Sequence, residues 1–177
     1  MTAPVLDIRY LPDALPDADA LFARLQHEVA WDHRMHARRT ASFGRPYNYS
    51  GQTYDAVPMR PVIAEIASRA SAHTGHPFDN CLGNLYESGR NTMGFHRDSY
   101  DELEPASAIA IASFGATRAL VFRSNDRARR ETVRLAHGSL LLMTEHTQRD
   151  RQHAVLRDDD AGLRISLTFR RFRLVDS

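Results

Sequence analysis

From residue 80 to residue 172 the chain offers eight short stretches of strand character with only turns between them. They cover 80–86, 93–97, 107–114, 118–123, 131–135, 138–143, 152–156 and 163–172. The last alternates most cleanly. Leu163, Ile165, Leu167 and Phe169 fall on one side of an extended chain, and Arg164, Ser166, Thr168 and Arg170 on the other. Parallel strands need long crossovers, usually helical, and none separates these segments, so a doubly wound α/β fold is disfavoured. The lack of a GxGxxG or GxxxxGK[ST] run agrees. Two helices are expected earlier. Leu21, Leu25 and Val29 recur every four residues within 16–30, and Val62, Ile63, Ile66 and Ala70 form one apolar face within 59–73, stopped by Gly75 and Pro77. Between them RRTASFGRPYNYSGQ suggests a hairpin. The expected fold is mainly β with flanking helices, a jelly roll or barrel backed by helices.

At 177 residues the chain has the length of one domain. We divide it into a helical and hairpin part, residues 1–78, and a β core, residues 79–174. The net charge of +1 argues against a protein that coats nucleic acid through bulk charge. The charge is uneven, however: residues 1–116 are net acidic and residues 117–177 net basic, and every basic residue is arginine. The single cysteine, Cys81, excludes an internal disulfide framework and is read as a buried small apolar residue. No stretch approaches the eighteen apolar residues of a membrane span. The first twenty residues lack a basic segment leading into an apolar one, so the expected setting is cytoplasmic.

Nine histidines are present. His27, His33, His36, His73 and His76 lie in or near the helical half without a ligand pattern. His96 and Asp98 differ, because on a strand residues two apart project to the same face. An imidazole and a carboxylate on one wall begin a metal site, and a third ligand must come from His137, His146 or His153. His137 precedes a glycine at a turn, and His146 lies in the polar run TEHTQRD. His153 opens the apolar strand HAVL and is preferred, since a strand holds its side chain in place. Two histidines and one carboxylate suit non-haem Fe(II), and zinc accepts the same donors. Arg164 favours iron with an anionic cosubstrate. On the polar side of an otherwise apolar strand it points into the lumen of a barrel, where a buried guanidinium needs an anion such as a carboxylate held in a fork.

Three runs carry a resemblance: HRDSYDELEPASAIAIASFGATRALVFRSND, GSLLLMTEHTQRDRQHAV and RISLTFRRF. With NLYESG and RRTASFGRPYNYSG they resemble the AlkB family of Fe(II)/2-oxoglutarate-dependent dioxygenases, most of all its mammalian-type DNA-repair branch, over about residues 38–173. The resemblance implies a double-stranded β-helix (jelly roll) that uses Fe(II), 2-oxoglutarate and O2. It implies that His96, Asp98 and His153 bind the iron and that Arg164 pairs with the distal carboxylate of 2-oxoglutarate. Asn84, Tyr86, Ser166, Thr168 and Arg170 match positions around the cosubstrate, and Tyr47, Tyr49 and Ser50 match positions beside a flipped base.

Departures from the pattern stand out. Tyr100 occupies a place where repair members often carry an acid, with Asp101 next to it as a candidate substitute in contacting the base. Arg151 stands for a tryptophan and Leu156 for a proline. The activity implied is oxidative dealkylation of N-alkylated bases in nucleic acid, with single-stranded DNA favoured over duplex or RNA, by a monomer that does not engage membranes. Arg123, Arg127, Arg129, Arg130 and Arg134 are candidate phosphate contacts. The alternative is an oxygenase of the same fold acting on a protein, lipid or small metabolite. A non-catalytic module that keeps the barrel and a zinc hydrolase are more remote.

Overall fold

The computed structural model describes residues 5–47, 51 and 53–174. Among them run ten strands and three helices: β1 (Ile8–Leu11), α1 (Ala18–Glu28), β2 (Arg39–Gly44), α2 (Pro61–Thr74), β3 (Asn80–Tyr86), β4 (Met93–His96), β5 (Ile109–Gly115), β6 (Arg118–Ser124), β7 (Arg130–Leu135), β8 (Ser139–Met143), α3 (Glu145–Asp150), β9 (Arg151–Val155) and β10 (Arg164–Arg170). They form two antiparallel sheets. The major sheet has the order β1-β8-β5-β10-β3-β2, and the minor sheet β4-β9-β6-β7.

The alternation of β10 organises the layers. Ile165, Leu167 and Phe169 join Ala110, Ala112 and Phe114 of β5 and Leu140 and Leu142 of β8 in a core covered by Leu21 and Leu25 of α1 and Val62, Ile63 and Ile66 of α2. The opposite face of the major sheet contributes Tyr86, Ile109, Ile111, Leu141 and Met143 to a second core with Leu120 and Phe122 of β6 and Val155 of β9. Both helices therefore back the major sheet from outside, and the two sheets enclose the second core. Pro61 begins α2, where its missing N–H has no bond to lose, and Gly75 ends it at φ 75° with its N–H donated to the Ser71 carbonyl.

Three expectations need correction. β2 pairs with β3, Arg39 opposite Leu85 through Gly44 opposite Asn80, so within the described residues it extends the major sheet instead of closing its own hairpin. The polar run TEHTQRD contains α3, capped when Thr144 accepts the Thr147 N–H. The edge strand β1 pairs with β8 and was not foreseen; four residues carry too little alternation to be read. No helix among the described residues is long and apolar enough to cross a membrane.

Candidate active site

β4 and β9 place two imidazoles side by side. His96 and His153 are direct register partners, and their ring centroids lie 4.3 Å apart. The register shifts between Met93 and His96, and β4 ends at His96. Asp98 therefore lies just past the strand, not on one strand face with His96 as the two-residue spacing suggested. Other contacts hold it: its N–H donates to Gln148 Oε1 at 3.0 Å, and its carboxylate accepts from Arg170 Nη2 at 3.1 Å. Arg170 comes from β10, so an ion pair between buried side chains joins the site across the sheets.

Burial alone raises the Asp98 carboxyl. Arg170, followed by His153 and His96, more than reverses this and holds it below the ordinary carboxylate range. Burial drives His153 down to about 3, and the adjacent His96 adds to the effect, so this imidazole is neutral. His96 is lowered as well, again chiefly by burial. Its Nδ1 lies 2.8 Å from the Gly94 carbonyl; a proton on Nδ1 leaves the Nε2 lone pair available. His153 Nδ1 is buried without a hydrogen-bond partner.

Two neutral imidazoles and an ionised carboxylate are the donor types that Fe(II) takes in oxygenases. With Asp98 turned onto Arg170, no three His, Cys, Asp or Glu side chains among the described residues converge closely enough to hold an ion as they stand. The donors fit iron in kind. The other candidates for the third ligand are engaged elsewhere. His137 Nδ1 accepts the Gly115 N–H and its Nε2 faces Asp19, while His146 pairs with Asp150 along α3.

Deeper between the sheets, Arg164 is 1% exposed. Its Nη2 donates to Ser113 Oγ at 3.0 Å, and its Nε and Nη1 have no partner. The guanidinium sits 5.1 Å from the centre of the Tyr86 ring. No carboxylate among the described residues forms an ion pair with it, although an isolated buried charge is strongly disfavoured. The distal carboxylate of a dicarboxylate fits that deficit. Tyr86, Asn84, Ser166 and Thr168 are buried around it, with Arg164 opposite Tyr86 and Ser166 opposite Asn84 in the β10–β3 register.

Besides binding Asp98, the Arg170 guanidinium lies 4.2 Å from the centre of the Tyr47 ring. Tyr47 in turn accepts the Ser99 N–H through its hydroxyl and meets Phe172 edge-on at 6.1 Å. Tyr49 and Ser50 lie outside the described residues. Tyr100 is half-buried and donates its hydroxyl to the Ser107 carbonyl at 2.6 Å; burial pushes its phenol well above the ordinary value. Asp101 is exposed and lines a cleft of about 420 Å³ with Arg45, Pro46, Glu102, Phe172 and Arg173. Arg151, at the tryptophan position, is buried against Glu131.

Four contributors escaped the sequence reading. Ser113 and Gln148 bind Arg164 and Asp98 from β5 and α3. Arg38, buried, donates to Asn84 Oδ1 at 2.7 Å. Arg118 is the fourth. None carried a signal in the sequence: a serine, a glutamine and two arginines read as ordinary polar residues until the fold shows them buried.

Comparison with known proteins agrees with this geometry. The model of the 2OG-Fe(II) oxygenase superfamily matches residues 9–170. The chain is 36% identical to DNA oxidative demethylase ALKBH2 of Mus musculus over 179 residues, 88% of this chain and 75% of that protein. It is 35% identical to the Homo sapiens ALKBH2 over 182 residues, 89% and 70%. Alpha-ketoglutarate-dependent dioxygenase alkB homolog 3 of Rattus norvegicus is 34% identical over 177 residues, 88% of this chain and 60% of that one. The solved structure of OsALKBH1 shares the fold, with a TM-score of 0.67, 18% identity, and coverage of 96% of this chain and 100% of that one. Fe(II), 2-oxoglutarate and O2 are accordingly the cofactor, cosubstrate and oxidant, and together they supply the oxidation of a C–H bond with release of succinate and CO2. The chain belongs to the 2OG-Fe(II) oxygenase superfamily and is an Fe(II)/2-oxoglutarate-dependent dioxygenase.

Proposed function

We propose that this enzyme removes alkyl groups oxidatively from N-alkylated bases in DNA, acting as a monomer and preferring single strands. The observation that carries the reading is the placement of Tyr47. It is an aromatic ring beside the Asp98–Arg170 pair, in a chain 35–36% identical to demethylases of DNA over most of its length. A base within a duplex must leave its stack to reach an enclosed site, and a flat aromatic compensates by stacking on it. An unpaired strand avoids part of that cost, which supports the single-strand preference. The N-terminal part, with Tyr47, Tyr49 and Ser50, would recognise the base.

The residues act in sequence. Arg164 and the side chains around it would hold the cosubstrate, His96, Asp98 and His153 would hold the iron, and Tyr47 would orient the base for oxidation of its N-alkyl carbon. Oxidation of that carbon gives an unstable N-hydroxyalkyl group, which leaves as an aldehyde and restores the base. The test is demethylation of oligonucleotides bearing 1-methyladenine or 3-methylcytosine, single-stranded and duplex, followed by mass spectrometry. Loss of the methyl group, faster from single strands, is expected. Turnover of 2-oxoglutarate that no such oligonucleotide affects would move the substrate to a protein, lipid or metabolite.

A further inference from the structure

Arg118, the first residue of β6, is fully buried in a place that the iron site does not explain. It comes from the minor sheet, whereas Arg164 comes from the major sheet, yet both guanidinium groups lie against one ring. Arg118 is 5.4 Å and Arg164 5.1 Å from the centre of Tyr86. Arg118 Nη2 donates to the carbonyls of Asn91 at 2.9 Å and Leu156 at 2.7 Å, and Nη1 approaches that of Ser88 at 3.4 Å. These carbonyls belong to the turn that leads into β4 and to the residue after β9. The two turns are themselves tied together, Gly89 N–H to the Ala161 carbonyl and Asp158 N–H to that of Gly89. Arg118 thus braces the segments carrying His96 and His153.

Bracing does not require a charge. A neutral amide would serve carbonyls with a smaller desolvation cost. Arg118 Nε is buried without a partner, and among the described residues no carboxylate forms an ion pair with it. Two buried cations therefore lie against one aromatic ring, and the Asp158 carboxylate acts on Arg118 only through space, without forming an ion pair with it.

We infer that Arg118 is a positioning residue of the cosubstrate pocket: it backs Tyr86 and supplies a second buried positive charge that favours a dicarboxylate over a monocarboxylate keto acid. This rests on the reading of Arg164 as the partner of the distal carboxylate, and it is independent of which nucleic acid is repaired. The keto-acid end would be held at the metal site, and the second charge would act on the distal end.

The test is calorimetric titration of the Mn(II)-loaded protein with 2-oxoglutarate and with pyruvate, which keeps the keto acid and lacks the distal carboxylate. In Arg118→Gln the Kd for 2-oxoglutarate should rise about tenfold, equivalent to about 1.4 kcal/mol, with that for pyruvate unchanged. Arg118→Lys keeps the charge and gives up the fork, and should lie between, at about threefold. An unchanged 2-oxoglutarate Kd, or an equal loss for both ligands, would overturn the inference and leave Arg118 as a brace. If Arg118→Gln does not fold, the same two results in Arg118→Lys overturn it. A wild-type protein that does not prefer 2-oxoglutarate to pyruvate would refute the role of Arg164 instead.

Discussion

His96 and His153 face each other as register partners of β4 and β9, with ring centroids 4.3 Å apart. Antiparallel pairing alone brings these two imidazoles together from distant parts of the sequence. The carboxylate reaches the site by another route, through the Arg170 ion pair and the Gln148 hydrogen bond. The pair of imidazoles is fixed by backbone pairing and the carboxylate by side chains. Changes at the two kinds of position should have different consequences.

Replacing Asp98 removes a ligand and also strands Arg170. Removing one member of a buried ion pair typically costs about 3–5 kcal/mol, because the other charge is left uncompensated. Asp98→Asn should therefore lose iron and lower stability together. Denaturant unfolding of the metal-free protein separates the two effects. Unchanged stability would show that the Asp98–Arg170 pair contributes nothing net.

Arg164→Ala should behave in the opposite way. The side chain bonds Ser113, lies against Tyr86 and has no ion pair among the described residues, so the metal-free protein should keep most of its stability. Charge-assisted bidentate bonds are worth about twice a neutral one, and losing them should weaken 2-oxoglutarate binding about a hundredfold. Calorimetry on the Mn(II)-loaded variant measures this. Retention of wild-type affinity would remove Arg164 from the pocket.

Gly115 faces Arg164 in the β5–β10 register at φ +84°, and a Cβ there would lie 2.4 Å from the Leu163 carbonyl oxygen and 2.7 Å from the Phe22 ring. Left-handed backbone and backbone contact both penalise a side chain. Gly115→Ala should cost about 1–3 kcal/mol in thermal or denaturant unfolding. A neutral result would mean that α1 shifts freely away from the sheet.

Tyr47 separates base handling from cosubstrate turnover. Tyr47→Phe loses the bond from the Ser99 N–H, at a cost of about 0.5–1.5 kcal/mol. Tyr47→Ala also removes the ring over Arg170. The alanine variant should raise KM for the oligonucleotide several-fold beyond the phenylalanine variant, while both still release succinate without substrate. Equal KM values in the two variants would exclude stacking by Tyr47.

The β core was legible because its strands alternate. The eight expected segments correspond to β3–β10, and the inward row Arg164, Ser166, Thr168 and Arg170 is the row observed. The strand position expected for His153 is the one observed, opposite His96, whereas His137 follows β7 and His146 lies on α3. Asp98 was placed by a rule for strands, yet it lies beyond the strand end, held by Gln148 and Arg170, partners no local pattern reveals. β1 and the pairing of β2 with β3 depend on contacts between remote segments, which alternation within one segment does not encode. Arg38 and Arg118 read as ordinary polar residues until burial shows what surrounds them.

The most direct test of the central claim is anaerobic reconstitution with Fe(II) and 2-oxoglutarate, followed by admission of O2 in the presence of a single-stranded oligonucleotide bearing 3-methylcytosine. Succinate and methyl loss are then measured in the same samples. The expected result is that succinate rises with demethylation in the wild type, and that both are abolished in His153→Ala. Demethylation that persists in His153→Ala, or iron-loaded wild-type protein that forms no succinate with any substrate, would contradict the assignment of His96, Asp98 and His153 as the iron site of a 2-oxoglutarate dioxygenase.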